Sequence, residues 1–317
     1  MSVARTRRKL IKRPSVLLVL TALLVAFPSG AGADHWEKYI GPEEPSRDFP
    51  KDFLPLLPKD RQAKAMANPW ADPHVGGWGS DECPAGHRRR TPVVFVHGNG
   101  GFAGHWEMDY QPSWVSARRV FLDSGYCPRE LWAISYDGAG SYSTYNDVNA
   151  LEVYRFIEAV RRYLKVPKVD VVAHSLGVTV VRKAGFEQRD LYRHIRRFVA
   201  IAGATEGTTT CRGTAGHGIL HVCDEIAPGS AWLEELNAIG QTPPGPEYLT
   251  LYDGTGLIDD FYLGLDALSP QMKGACNHAL PFTDHFTLGW GPEPVQIYLD
   301  FVRTGKLPSC DPYEYRS

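Results

Sequence analysis

Lys168-Val169-Asp170-Val171-Val172-Ala173-His174-Ser175-Leu176-Gly177 is the stretch from which the fold can be read. Val169 to Ala173 is a short, mostly β-branched run of the kind that forms a buried strand, and Val178 to Phe186 continues as a helical pattern. Between them the chain must turn within a few residues. Ser175 stands at the bend, with Ala173 and Gly177 two positions to either side. This is the strand, tight turn, helix context in which a G-x-S-x-G pattern raises a serine hydroxyl at the edge of a sheet, alanine here replacing the first glycine. The flanks must be small because the bend is strained and larger side chains would strike the neighbouring strand and helix. A serine hydroxyl is a weak nucleophile until a base takes its proton, so Ser175 is a candidate nucleophile that needs a partner. So loose a pentapeptide also arises by chance, and its placement after a strand and before a helix is what argues otherwise. His174 reads as a structural neighbour.

Outward from this stretch, short β-branched runs alternate with helical patterns. Val93 to Val96, Leu131 to Tyr136, Phe198 to Ile201 and Tyr248 to Tyr252 are further strand candidates. Val148 to Tyr163 and Pro294 to Arg303 are helix candidates, the second entered through Pro292 and Pro294. Such alternation predicts an α/β fold with a mostly parallel central sheet and helices on both faces. Functional groups then belong at the carboxyl ends of the strands.

The first of these strands runs into His97-Gly98-Asn99-Gly100-Gly101, a turn with three glycines. Attack on an ester creates a tetrahedral oxyanion, and preorganised N–H groups stabilise it by about 3 kcal/mol each. The expected donors are the backbone amides of Asn99 and of Leu176, the residue after the serine. A phosphate loop is the competing reading, but the turn lacks both G-x-G-x-x-G spacing and a P-loop lysine.

In folds built around such a bend, the order along the chain is serine, acid, histidine. Two late histidines qualify as the base, His278 and His285. His285 is preferred because it lies in a loop before the last helix, whereas His278 falls near the last strand, around Ala275 to Leu280. The acid is sought after Tyr252 and is ranked Asp260, then Asp259, then Asp253. Aspartates in a loop are often simply solvated or cap a turn.

Pro92 to Gly101, Leu131 to Gly138, Lys168 to Gly177 and Asn277 to Phe286 together resemble the secreted bacterial class 2 lipases. They also resemble the extracellular polyhydroxybutyrate depolymerases that lack a separate substrate-binding domain. The resemblance implies an α/β-hydrolase fold, a Ser-His-Asp triad matching Ser175 and His285, and an oxyanion amide on the asparagine after H-G, here Asn99. It implies hydrolysis of carboxylic esters. The substrate expected is an acylglycerol or other lipid, a small ester or an aliphatic polyester, with no cofactor or metal.

Residues 1–33 read as an export signal. Arg5, Arg7, Arg8, Lys9, Lys12 and Arg13 precede an apolar run from Val16 to Phe27 that is short for a membrane span, and Ala31-Gly32-Ala33 suits cleavage before Asp34. Thr6 to Lys12 also looks like a twin-arginine signal, so either export route fits; a retained anchor is the bland alternative. Residues 34–90 read as an irregular arm and 91–317 as the catalytic domain. Without the signal, 28 basic residues face 36 acidic ones, a balance that disfavours nucleic acid or an anionic membrane as partner. An exported chain with six cysteines is expected to form three disulfides, Cys83 with Cys127, Cys211 with Cys223 and Cys276 with Cys310.

The insert from Gly203 to Ser230 lies where lids enter such folds. His217 and His221 between Cys211 and Cys223 could hold zinc, although a disulfide closing the loop is the plainer account. Trp78, Trp106 and Trp114 could line a groove or simply pack. An acyltransferase with the same nucleophile and a non-catalytic binding protein are the competing functions. The first would show transfer to added alcohol, and the second would leave Ser175 unmodified by a fluorophosphonate.

Overall fold

The computed structural model describes residues 49–59, 76–111, 113–136, 145–213 and 221–315. The export signal, most of the arm, the end of the 131–138 match and His217 lie outside these residues. Seven strands form one sheet: β1 Gly77–Trp78, β2 Val93–Val96, β3 Leu131–Ile134, β4 Val169–His174, β5 Ile195–Ile201, β6 Glu247–Tyr252 and β7 Cys276–Ala279. Their order across the sheet is β1-β3-β2-β4-β5-β6-β7. Only β1 runs antiparallel to its neighbour. Every residue of β2, β3 and β4 is buried, as a sheet covered on both faces requires.

The described helices are α1 Ala117–Asp123, α2 Asn146–Leu164, α3 Leu176–Glu187, α4 Leu191–His194, α5 His221–Ile226, α6 Ala231–Ala238, α7 His285–Trp290 and α8 Pro292–Thr304. Along α2, Val153, Phe156, Ile157, Val160 and Leu164 fall on one face and are buried, and Lys165 ends the helix in the left-handed region. Helix α8 has Pro292 in its first turn, Gly305 at φ 80° after its end, and buries Val295, Tyr298, Leu299 and Val302.

This topology locates the site. From β2 the chain moves outward to β3, then crosses back to β4 on the other side of β2. The strand order therefore reverses between β2 and β4, and a crevice opens outside the carboxyl ends of strands at such a switch point. The glycine turn follows β2 and the serine bend follows β4, so both face that crevice.

Residues 34–90 are not uniformly irregular. Trp78 pairs with Ala133 and Gly77 with Ile134, adding the antiparallel edge strand β1. A side chain at Gly77 would bring its Cβ within 2.4 Å of the Ala133 carbonyl, so the edge admits only glycine there. Phe53 packs its ring 4.8 Å from that of Trp132 and 5.4 Å from that of Tyr163, carrying the arm into the core.

All three disulfides join the expected partners, Cys83–Cys127, Cys211–Cys223 and Cys276–Cys310. The zinc alternative in the insert is thereby corrected: its two sulfurs are bonded to each other, and His221 stacks on Tyr145 at 4.2 Å. Among the described residues, no helix is long and apolar enough to cross a membrane.

Candidate active site

Ser175 adopts φ 55° and ψ −128°, a conformation that L residues reach only at a cost of about 1–3 kcal/mol. The bend is held by its neighbours. The Ser175 N–H donates to the Ile201 carbonyl of β5 at 2.7 Å, and the Ser175 carbonyl accepts from Val178 N–H at 3.0 Å. Two glycines let the backbones close on it. A Cβ on Gly177 would lie 2.4 Å from the His97 carbonyl, and one on Gly98 would lie 2.7 Å from the Ser175 Cβ. The glycine turn and the serine bend are thus in direct contact.

Gly98 to Gly101 form a β-turn closed by a 3.1 Å bond from Gly101 N–H to the Gly98 carbonyl, with Gly100 at φ 67°. Asn99 occupies the second position of this turn, whose N–H is not used in closing it. Leu176 is the first residue of α3, where N–H groups lack an intrahelical acceptor. Both expected oxyanion amides therefore have N–H groups that the local fold leaves available, one on each side of the Gly98 and Ser175 contact. His97 fixes the turn. It accepts Tyr136 N–H on Nε2 at 3.3 Å, donates from Nδ1 to the Gly98 carbonyl at 2.8 Å, and stacks on the Tyr136 ring at 4.1 Å. That bonding pattern requires the neutral imidazole with its proton on Nδ1.

The late loops meet as a pair. His285 and Asp259 are both buried, at 3% and 1% exposure, and His285 Nδ1 lies 3.1 Å from each oxygen of the Asp259 carboxylate. A carboxylate accepts and cannot donate, so it holds the proton on Nδ1 and leaves the Nε2 lone pair free to act as a base. Asp259 Oδ1 also accepts Phe261 N–H at 3.1 Å, and the Phe261 ring lies 4.2 Å from the imidazole.

The three candidate acids fall in different surroundings. Asp260, placed first from sequence, is exposed, whereas Asp259 is the residue in contact with His285. Consecutive residues of an irregular loop point to different sides, and the loop's geometry, not its composition, selects between them. Asp253 does more than cap a turn. Its Oδ2 accepts Thr255 N–H at 3.1 Å and its Oδ1 accepts Thr283 N–H at 3.2 Å, tying the acid loop to the histidine loop. His278, on β7, donates to the Ser309 carbonyl at 2.8 Å.

His174 is structural, as the sequence suggested, with a partner that the sequence did not name. Its Nε2–H donates to the His285 carbonyl at 2.9 Å, and its ring packs against Trp290 at 4.7 Å. Burial holds its pKa well below the ordinary histidine value, and nearby His285 pushes the same way, so it remains a neutral donor. The residue beside Ser175 thus carries the backbone of His285. Its position next to the serine was the only signal in the sequence.

The loops that carry Asp259 and His285 expose several apolar side chains. Leu257, Ile258, Leu263 and Leu265 on the acid loop, and Phe282 and Phe286 on the histidine loop, are all exposed, Leu265 at 91% and Phe282 at 68%. Tyr110 stacks on Trp114, Phe286 and Trp290 beside them. Trp78 and Trp106 are fully buried packing residues. A separate cleft of about 330 Å³, bounded in part by Cys83, His87, Cys127 and Glu130, lies at the amino ends of the parallel strands. Among the described residues Cys83, His87 and Cys127 have metal-ligand spacing, but the two sulfurs form a disulfide. Glu130 accepts from Arg90 N–H and Cys127 N–H and lies 3.0 Å from His87 Nε2, bracing this cleft.

The sheet order, the serine bend at its switch point and the histidine loop after its last strand define an α/β-hydrolase. Residues 90–258 match the model of the class 2 lipase family, and the chain belongs to that family, a group of carboxylic ester hydrolases. No curated protein matches the sequence. Among solved structures, the mature form of the Bacillus licheniformis lipase BlEst2 is similar with a TM-score of 0.55 and 17% identity, over 70% of this chain and 96% of that one. Aspergillus fumigatus lipase B is similar with a TM-score of 0.54 and 14% identity, over 74% of this chain and 56% of that one. At these identities the likeness is one of fold.

Proposed function

We propose that the chain is an exported esterase or lipase working through Ser175, His285 and Asp259. Residues 1–33 would be its cleaved signal, 34–90 an arm and 91–317 the catalytic domain. The observation that carries this reading is the buried contact of His285 Nδ1 with Asp259, together with the bond from His174, next to the strained Ser175, to the His285 carbonyl.

In the first step Ser175 Oγ bonds to the ester carbonyl carbon while its proton passes to His285 Nε2. The carbonyl oxygen becomes an oxyanion facing the backbone amides of Asn99 and Leu176. Collapse breaks the bond to the alcohol, which leaves with the proton from His285, and the acyl group stays on Ser175. Water then attacks the acyl carbon, gives its proton to His285, and the second collapse releases the acid and restores the serine. Each step uses the imidazolium that Asp259 stabilises. Three disulfides suit an oxidising compartment and so support export.

The apolar rim supports a water-insoluble ester, acylglycerol or aliphatic polyester, over a small soluble one. Hydrolysis of p-nitrophenyl butyrate, tributyrin, triolein and polyhydroxybutyrate emulsions tests this choice. The emulsions are expected to be cleared, with rates rising once each substrate passes its solubility limit. Silence on every ester would end the reading, and turnover confined to the soluble ester would remove its insoluble-substrate part.

A further inference from the structure

The insert after β5 occupies the position of a lid, yet its first turn is bonded to the loop that carries Asp259. Thr208 Oγ1 and Thr209 N–H both donate to the Phe261 carbonyl, at 2.7 and 2.9 Å. Leu263 N–H donates to Thr209 Oγ1 at 2.9 Å, and that hydroxyl lies 2.9 Å from Asp266 Oδ2. Arg212 meets both oxygens of the buried Asp266 carboxylate. The turn is itself anchored. Thr208 N–H donates to the Ile226 carbonyl at 3.1 Å, and the Cys211–Cys223 disulfide closes the insert from within the core.

Between these contacts sits Phe261, held from the insert by its carbonyl, giving its N–H to Asp259 and laying its ring on His285. We infer that Thr208, Thr209, Arg212 and Asp266 are positioning residues that hold Asp259 in register with His285, and that this part of the insert is a fixed brace rather than a lid. The inference rests on the reading of Asp259 as the triad acid. A carboxylate in an irregular loop has no strand or helix to fix it, and a misplacement of about 1 Å at a catalytic group costs up to roughly a hundredfold in rate. The brace supplies the rigidity that the loop's own backbone lacks.

The test is a double-mutant cycle on the full chain with p-nitrophenyl esters of short and long acyl chains, butyrate among them. Arg212→Ala and Thr208→Val are each expected to lower kcat by roughly ten- to a hundredfold with KM within about twofold, and Arg212→Lys is expected to recover part of the loss. In an Asp259→Asn background the same two substitutions are expected to cost nothing more, because the group they position is already gone. Equal losses in both backgrounds would overturn the brace, as would a change confined to KM that varies with acyl length, which is the behaviour of a lid. Should Arg212→Ala fail to fold, Thr208→Val removes a single hydroxyl and gives the same readout. Asp259→Asn alone reports on the triad itself: wild-type turnover in that variant would sink the triad reading and the brace with it, whereas a collapsed Asp259→Asn with additive brace variants would sink the brace alone.

Discussion

Ser175→Ala is expected to lower kcat on a soluble ester by about five to six orders of magnitude while leaving KM almost unchanged. The substitution removes one hydroxyl and nothing else that holds the bend. The 2.7 Å bond from the residue's N–H to Ile201, its carbonyl bond to Val178 and the close approach of Gly98 all involve backbone or Cβ. Folding and substrate binding should therefore persist, and the residual rate should be that of water attack assisted by the amides of Asn99 and Leu176. A burst of p-nitrophenol in the parent protein, absent from the variant, would report acyl-enzyme formation directly. A Ser175→Ala protein that kept even a tenth of parental turnover would mean that another group attacks the ester.

The second large effect separates two neighbours. Asp259→Asn should cost about four orders of magnitude in kcat, because an amide can donate to Nδ1 and so favour the imidazole tautomer whose Nε2 already carries a proton. Asp260→Asn should change kcat by less than about twofold, as expected for an exposed group. Circular dichroism of both variants would show that the fold is retained. The reverse ranking of the two rates would restore the order suggested by sequence.

That pair also shows where sequence reading stops. The strands were legible because a buried parallel sheet demands continuous apolar runs, and Val93 to Val96 and Val169 to Ala173 supply them locally. The serine bend was legible for the same reason: strand, bend and helix lie within a few consecutive residues. Strand β1 was not, since two residues carry no periodicity and it is made by pairing with β3. The choice among Asp253, Asp259 and Asp260 depends on contacts with residues 206–212 and 282–285, distant in sequence. His174 reads as structural from sequence, but its partner was not legible, because its bond to the His285 carbonyl spans 111 positions. What the sequence could place were the strands and the serine bend; what it could not supply was the set of long-range hydrogen bonds around them.

Covalent labelling tests the central claim most directly. A fluorophosphonate mimics the tetrahedral centre, so it reports whether an activated serine, a base and an oxyanion site converge at one place. Treatment of the folded protein followed by peptide mass mapping should find one adduct, on Ser175, formed quickly in the parent and at a small fraction of that rate in His285→Ala. An unlabelled Ser175 in folded protein, or equal labelling without His285, would contradict the account.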